Sequence, residues 1–186
     1  MTDMLDRLHK DHINMSRLLA LLGKQATVIE RGERGDLRLL SDILFYITHY
    51  PDLYHHTRED FVFETLRRRD PQSAGPVEEL LAQHKQMTEA AMELTNDLAA
   101  FGGSIVIPRE RLVGLLRDYV ALSCRHMDVE ESQVFPRARA VLNAEDWQEI
   151  EKGMTIEDDP LFGRVISEQY RSLYDTIVRE AAADTT

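Results

Sequence analysis

The sequence has almost no cysteine, no long apolar run and no excess of basic residues, and each shortage excludes a class of protein. Cys124 is the only cysteine, so the chain cannot form an intrachain disulfide framework, which fits a reducing cytoplasm. No apolar stretch approaches the roughly 20 residues that a transmembrane helix needs, and the charged N-terminus lacks the apolar segment of a secretion signal. A net charge of -11 argues against nucleic acid or an anionic membrane as the main partner. We therefore expect a cytoplasmic protein that binds neither.

Helical periodicity dominates the rest of the sequence. Apolar residues recur every three or four positions in long segments, and these segments begin near Leu5, Asp36, Val77 and Pro108. Pro51 is expected to kink the second segment or to restart it. By composition, residues 70–76 and 101–108 are predicted to be loops. The apolar SIVI sequence inside the second stretch does not predict a strand, because it has no partner strand. Asn143 is a candidate cap for a further short helix.

These segments predict an all-α protein with a single domain over residues 1–186. Long helices joined by short loops pack as antiparallel neighbours, so the expected architecture is an up-down-up-down four-helix bundle over residues 3–142. A C-terminal helical extension over residues 143–182 would pack outside this bundle. Its last amphipathic helix is expected to begin at Pro160, with Asp159 as its N-cap.

Histidines interrupt the apolar stripes of all four segments, although a buried imidazole is costly unless it has a partner. His55 is followed four residues later by Glu59, a spacing that places both side chains on one helical face. His126 is followed in the same way by Glu130. One such pair is usually a surface pair, but two pairs accompanied by a third histidine each are difficult to explain in that way.

The histidines and glutamates of the first half recur in the second half at an offset of 71 or 72 residues (84 − 12, and 126 − 55 or 130 − 59). In an antiparallel bundle, a pseudo-twofold axis between two such halves would bring all six side chains together. Four imidazoles and two carboxylates are too many ligands for one tetrahedral zinc ion, so they predict two ions bridged by the carboxylates, with iron, manganese or zinc suited to these donors. The predicted ligands are His12, His55, Glu59, His84, His126 and Glu130.

The adjacent histidines in YHHTREDFVF allow two pairings, and the repeat decides between them. An offset of 71 places Phe63 on Val134 and preserves the apolar pattern. It selects the pair that starts at His55, so His56 turns about 100° away around an α-helix. We expect the following residues to support the ligands from behind or to lie at the surface: His9, Tyr54, His56, Asp60 and Tyr119.

Several stretches together resemble the hemerythrin-like, HHE cation-binding family. They are LHKDHINMSRLL, YHHTREDFVF, LLAQHKQM and CRHMDVEESQVFP, with EDDPLFG further downstream. The resemblance implies a non-haem di-iron centre with an oxo or hydroxo bridge between two iron ions, held by the same six residues in a four-helix bundle. The wider family includes oxygen carriers, oxygen or iron sensors, peroxide-handling proteins and nitrosative-stress repair proteins.

Leu80 is a departure from the family pattern, because oxygen-carrying hemerythrins have a fifth histidine at this position. Without it each iron would have about five ligands and one exchangeable position. Two open positions weaken the carrier interpretation and favour reactions in which peroxide or nitric oxide bridges the metals. Glu30 or Glu33 is a candidate to fill the gap.

The expected partner is therefore a small ligand, namely O2, peroxide or nitric oxide, and the redox partner stays unidentified. A di-iron oxidoreductase is one hypothesis. An iron- or oxygen-responsive sensor or metal-binding module without turnover is the alternative. A metal-free bundle with a vestigial site is disfavoured by the complete ligand set.

Overall fold

The computed structural model describes residues 4–101, 108–154 and 157–183, so the SIVI sequence lies outside the described residues. Within these ranges the regular secondary structure is helical and contains no strand, as the periodicity predicts. The α-helices are α1 (Met4–Glu30), α2 (Leu37–His49), α3 (His56–Arg69), α4 (Ala74–Phe101), α5 (Arg109–Val129), α6 (Phe135–Val141), α7 (Ala144–Gly153) and α8 (Arg171–Ala183).

Short helical turns of other types join several of these helices. Pro51–His55 is a π-helical turn between α2 and α3, and Glu130–Val134 is a π-helical turn between α5 and α6. Two 3-10 turns, Pro71–Ser73 and Glu168–Tyr170, precede α4 and α8. The restart at Pro51 is as predicted, whereas the expected loop at 70–76 is shorter because α4 already begins at Ala74.

Local side-chain chemistry fixes the helix ends. Gly32 follows α1 with a φ of 84°, in the left-handed region that glycine adopts without a steric cost. The Asp36 carboxylate accepts a hydrogen bond from the Leu39 amide at 3.0 Å and so caps α2. Asn143 and Asp146 form a reciprocal capping box at the start of α7, which confirms the predicted cap at Asn143.

The prediction that the last helix begins at Pro160 is wrong. The Asp159 carboxylate accepts hydrogen bonds from the amides of Leu161 and Phe162, at 2.8 and 2.9 Å, and from the Tyr46 hydroxyl at 3.0 Å. These contacts form a turn that buries Leu161 in the core, and regular α-helix starts only at Arg171. Val165, an apolar residue within the predicted helix, is 78% exposed.

The helices pack so that the two halves of the chain share one interior. Helix α1 lies against α5, and α4 lies against α5, α2 and α3. Helix α3 also contacts α6 and α7, while α8 contacts α2. None of the helices in the described ranges combines the length and apolar content needed to cross a membrane.

A layer of histidines and glutamates divides the apolar core into two clusters. In α1, Leu5 and Leu8 belong to one cluster and Leu18 to the other, with His12 between them. In α4, Leu80 and Met87 belong to different clusters on either side of His84. Burying polar groups between two apolar clusters is unfavourable unless they have partners, so this layer is the candidate site.

Candidate metal centre

All six sequence-predicted ligands lie in this polar layer, and the structure brings them together. Glu59 and Glu130 are completely buried, and the four histidines are at most 7% exposed. In the first half, the π-turn Pro51–His55 ends on a predicted ligand, whereas in the second half the π-turn starts on Glu130. Such turns are frequent at functional sites because they change the direction in which side chains leave the helix.

The Nε2 atoms of the histidines point at the two carboxylates. His55 Nε2 lies 3.0 Å from Glu59, and His126 Nε2 lies 3.0 Å from Glu130, each within its own four-residue pair. His12 Nε2 contacts both carboxylates, at 3.1 and 3.3 Å. Each carboxylate therefore has histidines from both halves within contact distance, since His84 Nε2 also lies 3.3 Å from Glu59.

Two groups of donor atoms can be distinguished within the layer. His12, His55 and Glu59 offer donor atoms that all lie within 4.8 Å of one another. On the opposite side, the Nε2 atoms of His84 and His126 are 3.0 Å apart. This arrangement follows the two halves of the sequence repeat.

The Nδ1 atoms of the same histidines face outward to a second set of polar groups. His12 Nδ1 lies 2.8 Å from the Glu131 carboxylate, and His84 Nδ1 lies 2.8 Å from the Asp60 carboxylate. A carboxylate behind an imidazole fixes the ring orientation and makes the opposite nitrogen a better donor to a metal.

The other two histidines follow the same pattern. His55 Nδ1 lies 3.2 Å from Asp11, and His126 Nδ1 lies 3.0 Å from the side-chain oxygen of Gln83. Sequence reasoning placed Asp60 in this role but missed Asp11, Gln83 and Glu131. A signal was present, because Asp11 and Gln83 immediately precede His12 and His84 and share their offset of 72 residues.

The electrostatics of the layer depend on close pairing between imidazoles and carboxylates. Burial alone lowers the pKa of His12, but close contacts with the Glu130 and Glu59 carboxylates outweigh it and raise the pKa to about 11. For His84, burial is outweighed by the hydrogen bond to Asp60 and the close contact with Glu59, which raise the pKa to about 10. Burial alone raises the pKa of Glu59, but the His55 charge and the imidazole contacts hold it well below its usual range. The layer thus favours positive charge next to both carboxylates.

The hydrogen bonding of the buried carboxylate oxygens indicates whether these residues could bind a metal ion. Glu59 Oε2 and both carboxylate oxygens of Glu130 are buried, and none has a hydrogen bond of suitable geometry in the described part of the chain. Buried polar atoms without partners are rare in folded proteins because they are costly. Anionic oxygens that converge with imidazole nitrogens are the donors that iron, manganese and zinc accept, so the residues fit cations.

The residues expected to support the ligands occupy different environments. His9 is largely exposed, with its Nδ1 atom 2.8 Å from the Glu131 carboxylate. Tyr54 is partly buried, and its ring centre lies 5.7 Å from that of Tyr50. Tyr119 is buried and lines a cavity beside His126. His56 is also buried, and burial lowers its pKa despite the adjacent Asp52.

The candidates to replace the fifth histidine do not reach the layer. Leu80 is fully buried in an apolar cluster. The Glu30 carboxylate forms a bidentate ion pair with Arg117 at the protein surface, with contacts of 2.8 and 2.6 Å. Glu33 is exposed at the end of α1. The suggestion that Glu30 fills the gap is therefore wrong, since its carboxylate is held by Arg117.

A small apolar cavity of about 20 Å³ adjoins the polar layer. Residues from both halves line it in equivalent pairs, among them His55 with His126 and Met15 with Met87. A volume of this size holds about one water-sized molecule. The cavity thus provides a place for a very small ligand next to imidazoles of both halves.

Comparison with known protein families identifies a match for most of the chain. A family model described as the hemerythrin HHE cation binding domain matches residues 3–138, which include all six predicted ligands. Searches of curated proteins and of solved structures find no match to this chain.

Proposed function

Because the chain belongs to the hemerythrin HHE cation-binding domain family, we propose that its buried cluster holds two iron ions and binds or reacts with O2, peroxide or nitric oxide. The observation that supports this most strongly is the set of three buried carboxylate oxygens without hydrogen bonds, on Glu59 and Glu130, among four imidazoles. Cations at this place would satisfy these oxygens.

The contacts favour two ions rather than one. One ion would be held by His12 and His55, and the other by His84 and His126. Each glutamate has histidines of both pairs within 3.3 Å, as expected of carboxylates that bridge two ions.

The proposed fold is the antiparallel four-helix bundle. The first bundle helix would be α1, the second α2 with α3, the third α4 and the fourth α5 with α6. Helices α7 and α8 would lie outside the bundle. The contacts of α5 with α1 and α4, and of α4 with α2 and α3, support this arrangement. Each of the four bundle helices then contributes at least one predicted ligand to the polar layer.

In the proposed activity, the iron ions when bound supply Lewis-acid and redox chemistry toward a small ligand. The protein residues orient the imidazoles and select the ligand by size. Glu131, Asp60, Asp11 and Gln83 fix the orientation of the imidazole rings through Nδ1. The apolar cavity limits both the size of the ligand and the access of water.

Metal analysis is the first test of this proposal. Purified protein is loaded with ferrous iron without oxygen, desalted and assayed for iron, and two ions per chain are expected. Fewer than about one ion per chain would contradict a dinuclear site, since such sites bind tightly once their ligands are deprotonated.

Mixing the reduced, loaded protein with O2, peroxide or nitric oxide then separates the activities. Rapid loss of peroxide with repeated turnover indicates an oxidoreductase. A stable and reversible spectrum with O2 indicates a carrier. Ligand binding without turnover supports the alternative function, a sensor or metal-binding module.

A further inference from the structure

His56 is a buried imidazole that the six predicted ligands leave unused. It directly follows His55, and only 8% of the residue is exposed. Burying an imidazole in an apolar region costs free energy unless the ring has a partner. The groups around His56 therefore indicate why the protein buries this imidazole.

The ring of His56 lies beside the histidines of the second half. It stacks on His84 with a centre-to-centre distance of 4.3 Å and an angle of 18° between the planes. Its centre is 6.1 Å from that of His126. His56, Glu59, His84 and His126 each offer a donor atom within 4.8 Å of the other three.

These separations match those of imidazoles bound to a common ion. With metal–nitrogen distances near 2.1 Å, imidazole rings that bind one ion have their centres about 4.5 to 6.5 Å apart. The centres of His84 and His126 are 4.7 Å apart, so all three rings are close enough together to hold one ion.

An outer carboxylate supports His56, as outer carboxylates support His12, His55 and His84. Asp52 Oδ1 lies 3.3 Å from His56 Nδ1, one turn earlier in the chain. The other oxygen, Asp52 Oδ2, is buried without a hydrogen bond among the described residues. A buried carboxylate whose contact is an imidazole nitrogen is typical of the group behind a metal-bound histidine, and it leaves Nε2 for the ion.

We propose that His56 is a fifth imidazole ligand and binds the ion held by His84 and His126. The inference rests on the proposed function. His56 would supply the donor that the chain lacks at Leu80, but from the other side of the polar layer, because Leu80 lies in one apolar cluster while His56 lines the cavity beside the other. With His56 in this role, the ion held by His84 and His126 would have one more protein ligand than the ion held by His12 and His55.

The experiment compares wild-type protein with His56→Phe and His56→Gly after anaerobic iron loading. Phenylalanine keeps an aromatic ring next to His84 but removes both nitrogens. His49→Ala is the matched control, because His49 is an exposed histidine whose contacts are with Phe45 and Thr48. Circular dichroism of the metal-free proteins establishes that each variant is folded.

We expect two ions per chain in wild type and His49→Ala, and about one ion per chain in both His56 variants. Added imidazole should restore the second ion and the wild-type Mössbauer spectrum in His56→Gly but not in His56→Phe, whose ring fills the space. A structural role for His56 would not produce this rescue.

The two proposals fail in different ways. If His56→Phe keeps two ions and the wild-type spectrum, or if imidazole does not rescue His56→Gly, the fifth ligand is refuted while the di-iron proposal stands. If wild-type protein itself takes up no iron, both proposals are refuted.

Discussion

In the first half of the metal centre, the Nδ1 atoms of both histidines contact carboxylates, whereas in the second half His126 contacts the amide of Gln83 instead. The equivalent residue of the first half is Asp11, which lies 3.2 Å from His55 Nδ1 and 3.7 Å from the Arg58 guanidinium. A carboxylate accepts a stronger hydrogen bond than an amide does and makes the imidazole a better donor to a metal. In the proposed centre, the outer hydrogen bonds would therefore strengthen binding by His12 and His55 more than binding by His84 and His126.

A second difference concerns the residue after each paired histidine. His56 in the first half corresponds to Met127 in the second, and both line the cavity. The two halves thus share the pattern of predicted ligands while the neighbours of those ligands differ in charge and donor capacity. In the proposed di-iron centre, these neighbours would make the two metal positions chemically different.

The largest expected effect comes from removing one equivalent ligand in each half. His12→Ala and His84→Ala should each lose iron, because each removes a predicted ligand and one of the imidazole contacts of the buried Glu59. Breaking such buried charge pairs should also lower the free energy of unfolding of the metal-free protein by about 3–5 kcal/mol. Iron analysis and urea unfolding measure both effects. His49→Ala is the control, and retention of two ions by either ligand variant would contradict the assignment.

A smaller effect is expected when the two halves are made alike. Asp11→Asn gives His55 an amide partner like that of His126 and should weaken binding of the first-half ion by about 10- to 100-fold. Competition with a chelator measures the change. Asp6→Asn is the matched control, since Asp6 is an exposed acid on the same helix. Equal affinities for the two variants would show that Asp11 does not distinguish the halves.

Tyr46→Phe tests whether stability and metal binding can be separated. The variant removes the hydroxyl that donates to Asp159 in the C-terminal turn. We expect the free energy of unfolding to fall by about 1–2 kcal/mol, measured by urea unfolding, with iron content unchanged. Loss of iron would mean that the C-terminal segment influences the metal centre directly.

The smallest effect concerns an ion pair that joins the two halves outside the centre. Asp70, at the end of α3, lies 2.7 Å from Arg137 on α6, and hydrogen bonds from Arg137 and Ser73 lower the Asp70 pKa to about 2. Because the folded state favours the ionised carboxylate, this stabilisation is complete above the ordinary pKa of about 4. It is lost as the pH falls through about 2.

Arg137→Gln should remove much of this stabilisation. The stability of the variant should therefore fall less steeply than that of wild type between pH 4 and 2. Acid unfolding followed by circular dichroism measures the two slopes. Identical slopes would mean that the pair contributes nothing to the acid sensitivity of the fold.

The clustering of the six predicted ligands could be expected from sequence because both signals behind it can be read along the chain. The spacing of His55 and Glu59 reports one helical face, and the offset of 71 or 72 residues reports the symmetry of the halves. The outer contacts were harder to predict, because the offset relates Asp11 to Gln83 without showing which histidine each one contacts: Asp11 precedes His12 but contacts His55, on another part of the chain. That contact depends on how the two segments rotate against each other.

The wrong helix start at Pro160 has a specific physical cause. The prediction followed an ordinary capping pattern. Asp159 instead accepts hydrogen bonds from two nearby amides and from Tyr46, a distant partner that local sequence does not reveal.

The outer hydrogen bonds at Nδ1 have a consequence for metal selectivity. These hydrogen bonds come from protein side chains and do not depend on which metal is bound. Every divalent ion that enters would therefore meet the same donor atoms. Nitrogen-rich sites bind zinc and copper more tightly than ferrous iron, following the Irving–Williams order. The ion recovered from cells should therefore follow supply, and zinc in the growth medium should compete with iron for this protein.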